Sequence, residues 1–399
     1  MTISIRDVRV ITTKPGKSNL VIVKVLTSEP ELYGLGCATF TQRWHAVVTA
    51  IEKHLKPFAL GRDVTRNEEF FRMAMVHSYW RNGPVLNNAI SGVDQALWDI
   101  RGKLAGMPVY DLLGGRQREA ANVYVHADGE NPQEVTENVL RYMDEGHRHI
   151  RVQMGGYGGA GGKDVRPEGA PAGSYYDPRA YCRDMLGMIE HVRKAVGDEV
   201  ELLHDIHERL HPIHAIQFAK DVEPFRLFFL EDALAPEDIE WFRQLRAQSA
   251  VPLAMGELFN NPLEWQPLIE GRLIDFLRMH ISQMGGLTPA RDVALFANMY
   301  GIRTAWHGPG DTSPIGHAAN LQLDLWEPNF GIQEWYEPDD MDYELFPGLP
   351  EVRDGYLYPN TSPGLGIDID EDMAARYPCE DVTEFWTQTR LPDGSPARP

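Results

Sequence analysis

From Val123 onward the chain alternates short apolar runs with helical segments, and this repeat limits the possible fold more than any other feature. Eight runs are visible: VYVHA, HIRVQ, VELLHD, LFFLED, PLAMGE, DFLRMH, RTAWHG and GIQEW. Several segments between them carry Pro in the first turn, as in NPQEVTENVLRYMDEG, APEDIEWFRQLRA and TPARDVALFANMYG, where a helix has no use for that N–H. Strands alternating with helices call for a parallel sheet, and eight units allow the sheet to close into a barrel. A doubly wound open sheet is the alternative. It would carry a Gly-rich phosphate turn after its first strand, and VYVHADGENP has none.

The stretch before the repeat is organised differently. ISIRDVRVITT and LVIVKVLT flank the turn KPGKSN and read as an antiparallel hairpin, with YGLGCATF as a third strand. Helical periodicity follows from Trp44 to Leu55 and from Asn67 to Tyr79, then through NNAISGVDQALWDIRGKLAG to a stop at Gly106. Strands followed by helices in one block make an α+β capping domain over residues 1–120, with the α/β barrel over 121–355. The polar stretch 356–399, containing PGLGIDIDED, reads as returning to the cap. At 399 residues the chain exceeds what one hydrophobic core usually serves, in keeping with two domains.

Composition removes several function classes. A net charge of −20 argues against nucleic acid or an anionic membrane as partner, but leaves a small anionic substrate open if a cation sits in the cleft. Three cysteines (Cys37, Cys182, Cys379) at wide spacing form neither a disulfide framework nor a zinc site. MTISIRDVRVITT has no apolar signal core and no run is long enough to span a bilayer, so the expectation is a cytoplasmic protein.

Three of the apolar runs close on a carboxylate at one fixed interval: Asp205, Glu231 and Glu257 lie 26 residues apart in turn. About that many residues make one barrel unit, since roughly 250 make eight. Acids at the C-terminal ends of three successive strands would share one rim, and hard oxygen ligands so arranged suit Mg²⁺. The bland reading, that each acid caps the next helix, fits one such residue better than three in equal register. The other strand ends supply His126, Arg151, His207, Arg278, His307 and Glu334. Asp205 and His207, two apart, would face the same side if both lay on the strand. An Mg²⁺ here would bind a substrate carboxylate and stabilise the enediolate formed when the α-proton leaves, with His207 protonating a departing β-hydroxyl. The base is left between Tyr157, with Arg151 beside it, and His307. Tyr157 lies in MGGYGGAGGKDVRPEGAPAGSYYDP, a Gly- and Pro-dense connection long enough to serve as a lid over that rim.

These residues resemble the enolase superfamily, in its mandelate racemase-like branch, and within it the D-mannonate dehydratase family. The resemblance runs over nearly the whole chain and is carried by SGVDQALWDIRGKLAGMPVYDLLGG, HIRVQ, LLHDIHERL, FFLED, MGE, WHGPGDTSP and NFGIQEW. It implies Mg²⁺ on Asp205, Glu231 and Glu257, a Tyr157–Arg151 base and His207 as acid. It implies substrate contacts at Thr41, His126, Arg278, His307, Asp311 and Glu334. It further implies a sugar-acid dehydratase forming a 2-keto-3-deoxy acid from an aldonate such as D-mannonate or D-gluconate, in a homo-oligomer. Four departures from the family pattern lie in substrate-facing loops. Thr41 stands where the pattern has Asn, and Pro309 follows Gly308 where it has a small residue. Only six positions separate Arg151 from Tyr157, and LRMHISQ offers His307 no acid from the sixth strand. Alternatives consistent with these changes are an enzyme for another acid sugar, an epimerase, or a metabolite-binding regulator with little turnover.

Overall fold

The computed structural model describes residues 2–155, 167–381 and 387–398. The chain forms two compact units. The first comprises Met1–Asn122, Glu257–Leu263 and Arg278–Val382, and the second Val123–Gly256, Glu264–Leu277 and Thr383–Pro399. The stretches Glu257–Leu263 and Arg278–Val382 group with the N-terminal residues.

The first unit begins with a three-stranded antiparallel sheet: β1 (Ile5–Thr13), β2 (Leu20–Thr27) and β3 (Tyr33–Cys37), in that order. Val8 faces Val25 and Val10 faces Val23 across β1 and β2. Helices α1 (Trp44–Ala50), α2 (Asn67–Val76) and α3 (Pro84–Ala105) follow, and α1 runs on through the π-helical turn Ile51–Leu55. Val21, Val23 and Val25 form one core with Val93, Leu97 and Ile100 of α3. The expected helix to Tyr79 ends at Val76 because Tyr79 takes a left-handed φ of 65°. Gly106, with φ 66°, closes α3 at the expected stop.

β3 is an edge strand, and α3 satisfies it. Leu35 N–H donates to Asp99 Oδ2 (2.9 Å) and Cys37 N–H to Gln95 Oε1 (3.0 Å), so the open edge offers no ladder to another chain. Helix and strand approach so closely because Gly34 carries no side chain; a Cβ there would lie 2.0 Å from Ala96 O.

The second unit is built on parallel strands. β4 (Ala121–Gly129), β5 (His149–Met154), β7 (Glu201–Asp205), β8 (Phe229–Glu231), β9 (Leu253–Met255) and β10 (Phe276–Leu277) neighbour one another in that order, and β6 (Ser174–Tyr175) stands apart. Helices α4 (Pro132–Asp144), α5 (Pro178–Val196), α6 (Pro212–Asp221), α7 (Trp241–Gln248) and α8 (Pro262–Glu270) alternate with them. Asn131 and Asp177 cap α4 and α5 through their side chains, each directly before a Pro. Strand bodies such as Leu202 to Asp205 are buried on both faces, as expected of parallel strands covered by helices.

The alternation continues in the first unit with α9 (Leu287–Met299), β11 (Arg303–Thr304), α10 (Pro314–Trp326) and β12 (Gln333–Glu334). All eight apolar runs therefore carry a strand. β13 (Glu351–Arg353) and β14 (Tyr356–Tyr358) form a hairpin, and β14 also pairs with Ala121 and Asn122 at the start of β4. The tail then meets the N-terminal sheet: Thr13 Oγ1 donates to Ala374 O (3.0 Å) and Glu380 N–H to Asn19 Oδ1 (3.0 Å). In its last described stretch β15 (Thr389–Arg390) pairs with β6 in the second unit. Among the described residues no helix is long and apolar enough to cross a membrane.

Candidate active site

In the second unit side chains from four strands come together, those of β7 and β8 from the strand ends. His126 and Arg151 are register partners across β4 and β5, as Asp205 and Glu231 are across β7 and β8. Asp205 and Glu231 are at most 1% exposed. Together with Asp232 they offer carboxylate oxygens that all lie within 4.8 Å of one another. Arg151 reaches both strand-end acids, with Nη1 3.3 Å from Asp205 Oδ2 and 3.5 Å from Glu231 Oε1. Its other terminal nitrogen lies 3.1 Å from His126 Nδ1. Because a guanidinium can only donate, His126 accepts at Nδ1 and carries its neutral-state proton on Nε2. The Tyr124 hydroxyl donates to Glu231 Oε2 at 3.2 Å.

His207 does not lie on the strand. β7 ends at Asp205, and His207 and Glu208 form a left-handed turn with φ of 55° and 53°. The alternation that would put its side chain beside that of Asp205 therefore does not apply. Its backbone N–H donates to Asp205 Oδ1 at 2.6 Å and fixes that carboxylate. Beneath the site, His204 is clamped between Tyr181 Oη (2.9 Å) and Val152 O (2.8 Å). Burial pushes its pKa down to about 4, so the ring is neutral and joins β5, β7 and α5 by hydrogen bonds alone.

The remaining predicted residues gather in the first unit. Arg278 is fully buried and paired with both Glu257 and Glu334. His307 Nδ1 lies 3.1 Å from Glu257 Oε2 and its Nε2 lies 3.3 Å from Asp311 Oδ1. Burial opposes charge on this imidazole, but Glu257 and Asp311 outweigh it and push the pKa up to about 10. Burial likewise opposes ionisation of Asp311, and the His307 hydrogen bond holds it below the ordinary carboxylate range. Gly308 N–H donates to Glu334 Oε2 (2.9 Å), which ties the turn before Pro309 to the same acid. Thr41 opens a short 3₁₀ turn in this unit and is half-buried. Tyr157 lies outside the described residues.

Sequence reasoning passed over His280 and Asp232. His280 stacks on His307 with ring centroids 4.8 Å apart and planes at 26°. Its Nδ1 accepts from Ser282 N–H at 3.1 Å, and Thr312 Oγ1 lies 3.5 Å from its Nε2. Burial, then the charge of His307, push its pKa down to about 3. His280, His307 and Asp311 are close enough to suggest a metal group, but both His280 nitrogens are engaged and His307 is paired with Glu257 and Asp311. The Asp205, Glu231 and Asp232 set fits a hard divalent cation better: all oxygen, buried and strongly anionic. Only the adjacency of Glu231 and Asp232 in LFFLED could have signalled Asp232.

Comparison with known proteins agrees with this architecture. Residues 3–114 match the mandelate racemase / muconate lactonizing enzyme N-terminal domain, and residues 134–373 the enolase C-terminal domain-like family. A D-galactonate dehydratase family member from Enterococcus gallinarum is 54% identical, over 99% of this chain and 98% of its own. The chain belongs to the D-galactonate dehydratase family of the enolase superfamily. It thus has that superfamily's capping domain and α/β barrel, and it is by family an enzyme of the dehydratase type. The relatives named here carry the D-galactonate name, where the motifs point to D-mannonate. The family member RspA from Pantoea ananatis is 52% identical over 99% of each chain. A solved enolase from Pantoea ananatis, with bound D-gluconate and Mg, superposes with a TM-score of 0.97 at 52% identity, covering 100% of both chains. A putative dehydratase from Mesorhizobium loti reaches 0.82 at 26% identity, covering 94% of this chain and 98% of its own.

Proposed function

We propose that this family member is an Mg²⁺-dependent sugar-acid dehydratase that removes water across C2 and C3 of an aldonate, D-gluconate or D-mannonate being candidates, to give a 2-keto-3-deoxy acid. The observation that carries the reading is the convergence of buried carboxylates at the ends of β7 and β8. D-Gluconate with Mg in the solved Pantoea ananatis relative supports both the cation and the substrate class. Asp205 and Glu231 are proposed ligands, with Glu257 the third on its equal sequence interval and position two residues past β9. When bound, Mg²⁺ supplies Lewis-acid stabilisation of the charge that develops on the substrate carboxylate as the C2 proton leaves.

The chain's own groups would then divide the proton work. Tyr157 with Arg151 takes the C2 proton, and His207 protonates the departing 3-hydroxyl. His126, Arg278, Asp311, Glu334 and Thr41 contact the substrate. His307 joins them as a contact rather than as the base, because LRMHISQ offers it no acid from the sixth strand. Self-association follows from the family expectation and is read by light scattering.

Turnover of a stereochemically complete aldonate panel with Mg²⁺, and with EDTA as control, tests the reading. A 2-keto acid product from one member, abolished by EDTA, is the expected result. Product of unchanged mass would indicate epimerisation instead. A ligand that stabilises the Mg²⁺ form thermally but is recovered intact would favour a binding protein.

A further inference from the structure

We propose that Arg151 is the built-in counter-ion of the Asp205–Glu231 pair, and that its charge lowers the affinity of those carboxylates for Mg²⁺ and keeps the metal exchangeable. The proposal rests on the Mg²⁺ reading above and adds to it a role for Arg151 that is separate from proton transfer.

The geometry points this way. Two carboxylates side by side at the ends of β7 and β8, both almost wholly buried, repel each other strongly in a medium of low dielectric. Arg151 answers that repulsion: its Nη1 lies 3.3 Å from Asp205 and 3.5 Å from Glu231. Arginine that binds a single carboxylate tightly does so as a fork, with two short bonds of roughly 2.7–2.9 Å. Here Nη1 lies at longer range from both acids, so the charge of the guanidinium is shared across the pair. The group is also held in place, because β5 fixes its backbone beside His126 on β4 and the His126 imidazole takes its other terminal nitrogen at 3.1 Å. At 4% exposure it is screened little by solvent.

A cation that enters among the same oxygens meets a positive charge already placed there. Whatever Arg151 contributes to holding Asp205 and Glu231 as neighbouring anions is lost in part when Mg²⁺ binds, and linkage makes the penalty mutual. The alternative is that Arg151 only packs the strand ends, in which case removing its charge leaves Mg²⁺ binding as it was.

Mg²⁺ titration calorimetry on the full chain, stripped with EDTA, separates the two. Arg151→Gln keeps an amide donor near the carboxylates but removes the charge; it is expected to bind Mg²⁺ about tenfold more tightly or better, within the usual range of site-to-site coupling. Its thermal midpoint should also rise more on adding Mg²⁺ than that of the wild type. Arg151→Lys keeps the charge and should stay within about threefold of the wild type. Arg151→Met removes charge and donors together and should tighten Mg²⁺ at least as far; should it fail to fold without metal, Arg151→Gln decides. Wild type that binds Mg²⁺ while Arg151→Gln binds it equally or more weakly overturns the counter-ion role alone. Wild type that does not bind Mg²⁺ overturns the metal reading and this role with it.

Discussion

Asp205 is held from several sides: a backbone N–H from His207 at 2.6 Å, the Arg151 guanidinium at 3.3 Å, and register pairing with Glu231. Asp205→Asn retains an oxygen for the His207 N–H but removes the charge a cation needs. Turnover should fall by about 10³-fold or more, corresponding to the several kcal/mol that a Lewis-acid cation contributes, with circular dichroism unchanged. Unaltered turnover in a folded Asp205→Asn protein would remove this residue from the metal site. His280 acts through its neighbour. By stacking on His307 while Ser282 and Thr312 hold its nitrogens, it limits the orientations open to that ring. His280→Ala should raise KM for the aldonate about 10- to 100-fold, the scale of other outer-sphere losses, and His280→Phe, which keeps a stacking face, should raise it less. Equal KM values for the two variants would mean that stacking is irrelevant.

At the scale of elements, helix ends here are secured by partners distant in sequence. The N-terminus of α9 is capped by Asp94 of α3, which accepts from Thr288 N–H (2.9 Å) and Thr288 Oγ1 (2.5 Å), and Trp98 Nε1 donates to the same hydroxyl (2.9 Å). Gly286 makes room for this cap; a Cβ there would come within 2.5 Å of Asp94 Oδ2. Burial, only partly offset by these hydrogen bonds, raises the Asp94 pKa from 3.8 to about 7. The folded state thus binds this proton more tightly than the unfolded chain. The resulting stability is fully present below about pH 4 and is lost as pH rises through about 7. Asp94→Asn cannot titrate, so the stability of wild type relative to this variant should decline across that window in urea denaturation. A flat difference would show that Asp94 is ionised in the folded protein throughout.

For the molecule as a whole, metal should couple to stability, because a ligand that binds only the folded state adds about 2.7 kcal/mol at 100 times its dissociation constant. EDTA should therefore lower the melting temperature and excess Mg²⁺ restore it, and a melt insensitive to both would count against the carboxylate site. Sequence alone determined the eight strand–helix units, the cap hairpin, the Gly106 stop and the acids at strand ends. These follow from side-chain periodicity, Pro and Gly punctuation and chain intervals, all of which act over a few residues or one repeat. Tertiary structure alone decided that His207 leaves the strand for a left-handed turn and that Arg151 spans two acids, one of them 54 residues away. It also decided the stacking of His280 on His307 and the pairing of β15 with β6, 215 residues apart from Ser174 to Thr389. Such contacts depend on how closed strands and loops bring distant side chains within a few ångströms, and no local pattern encodes a distance of that kind.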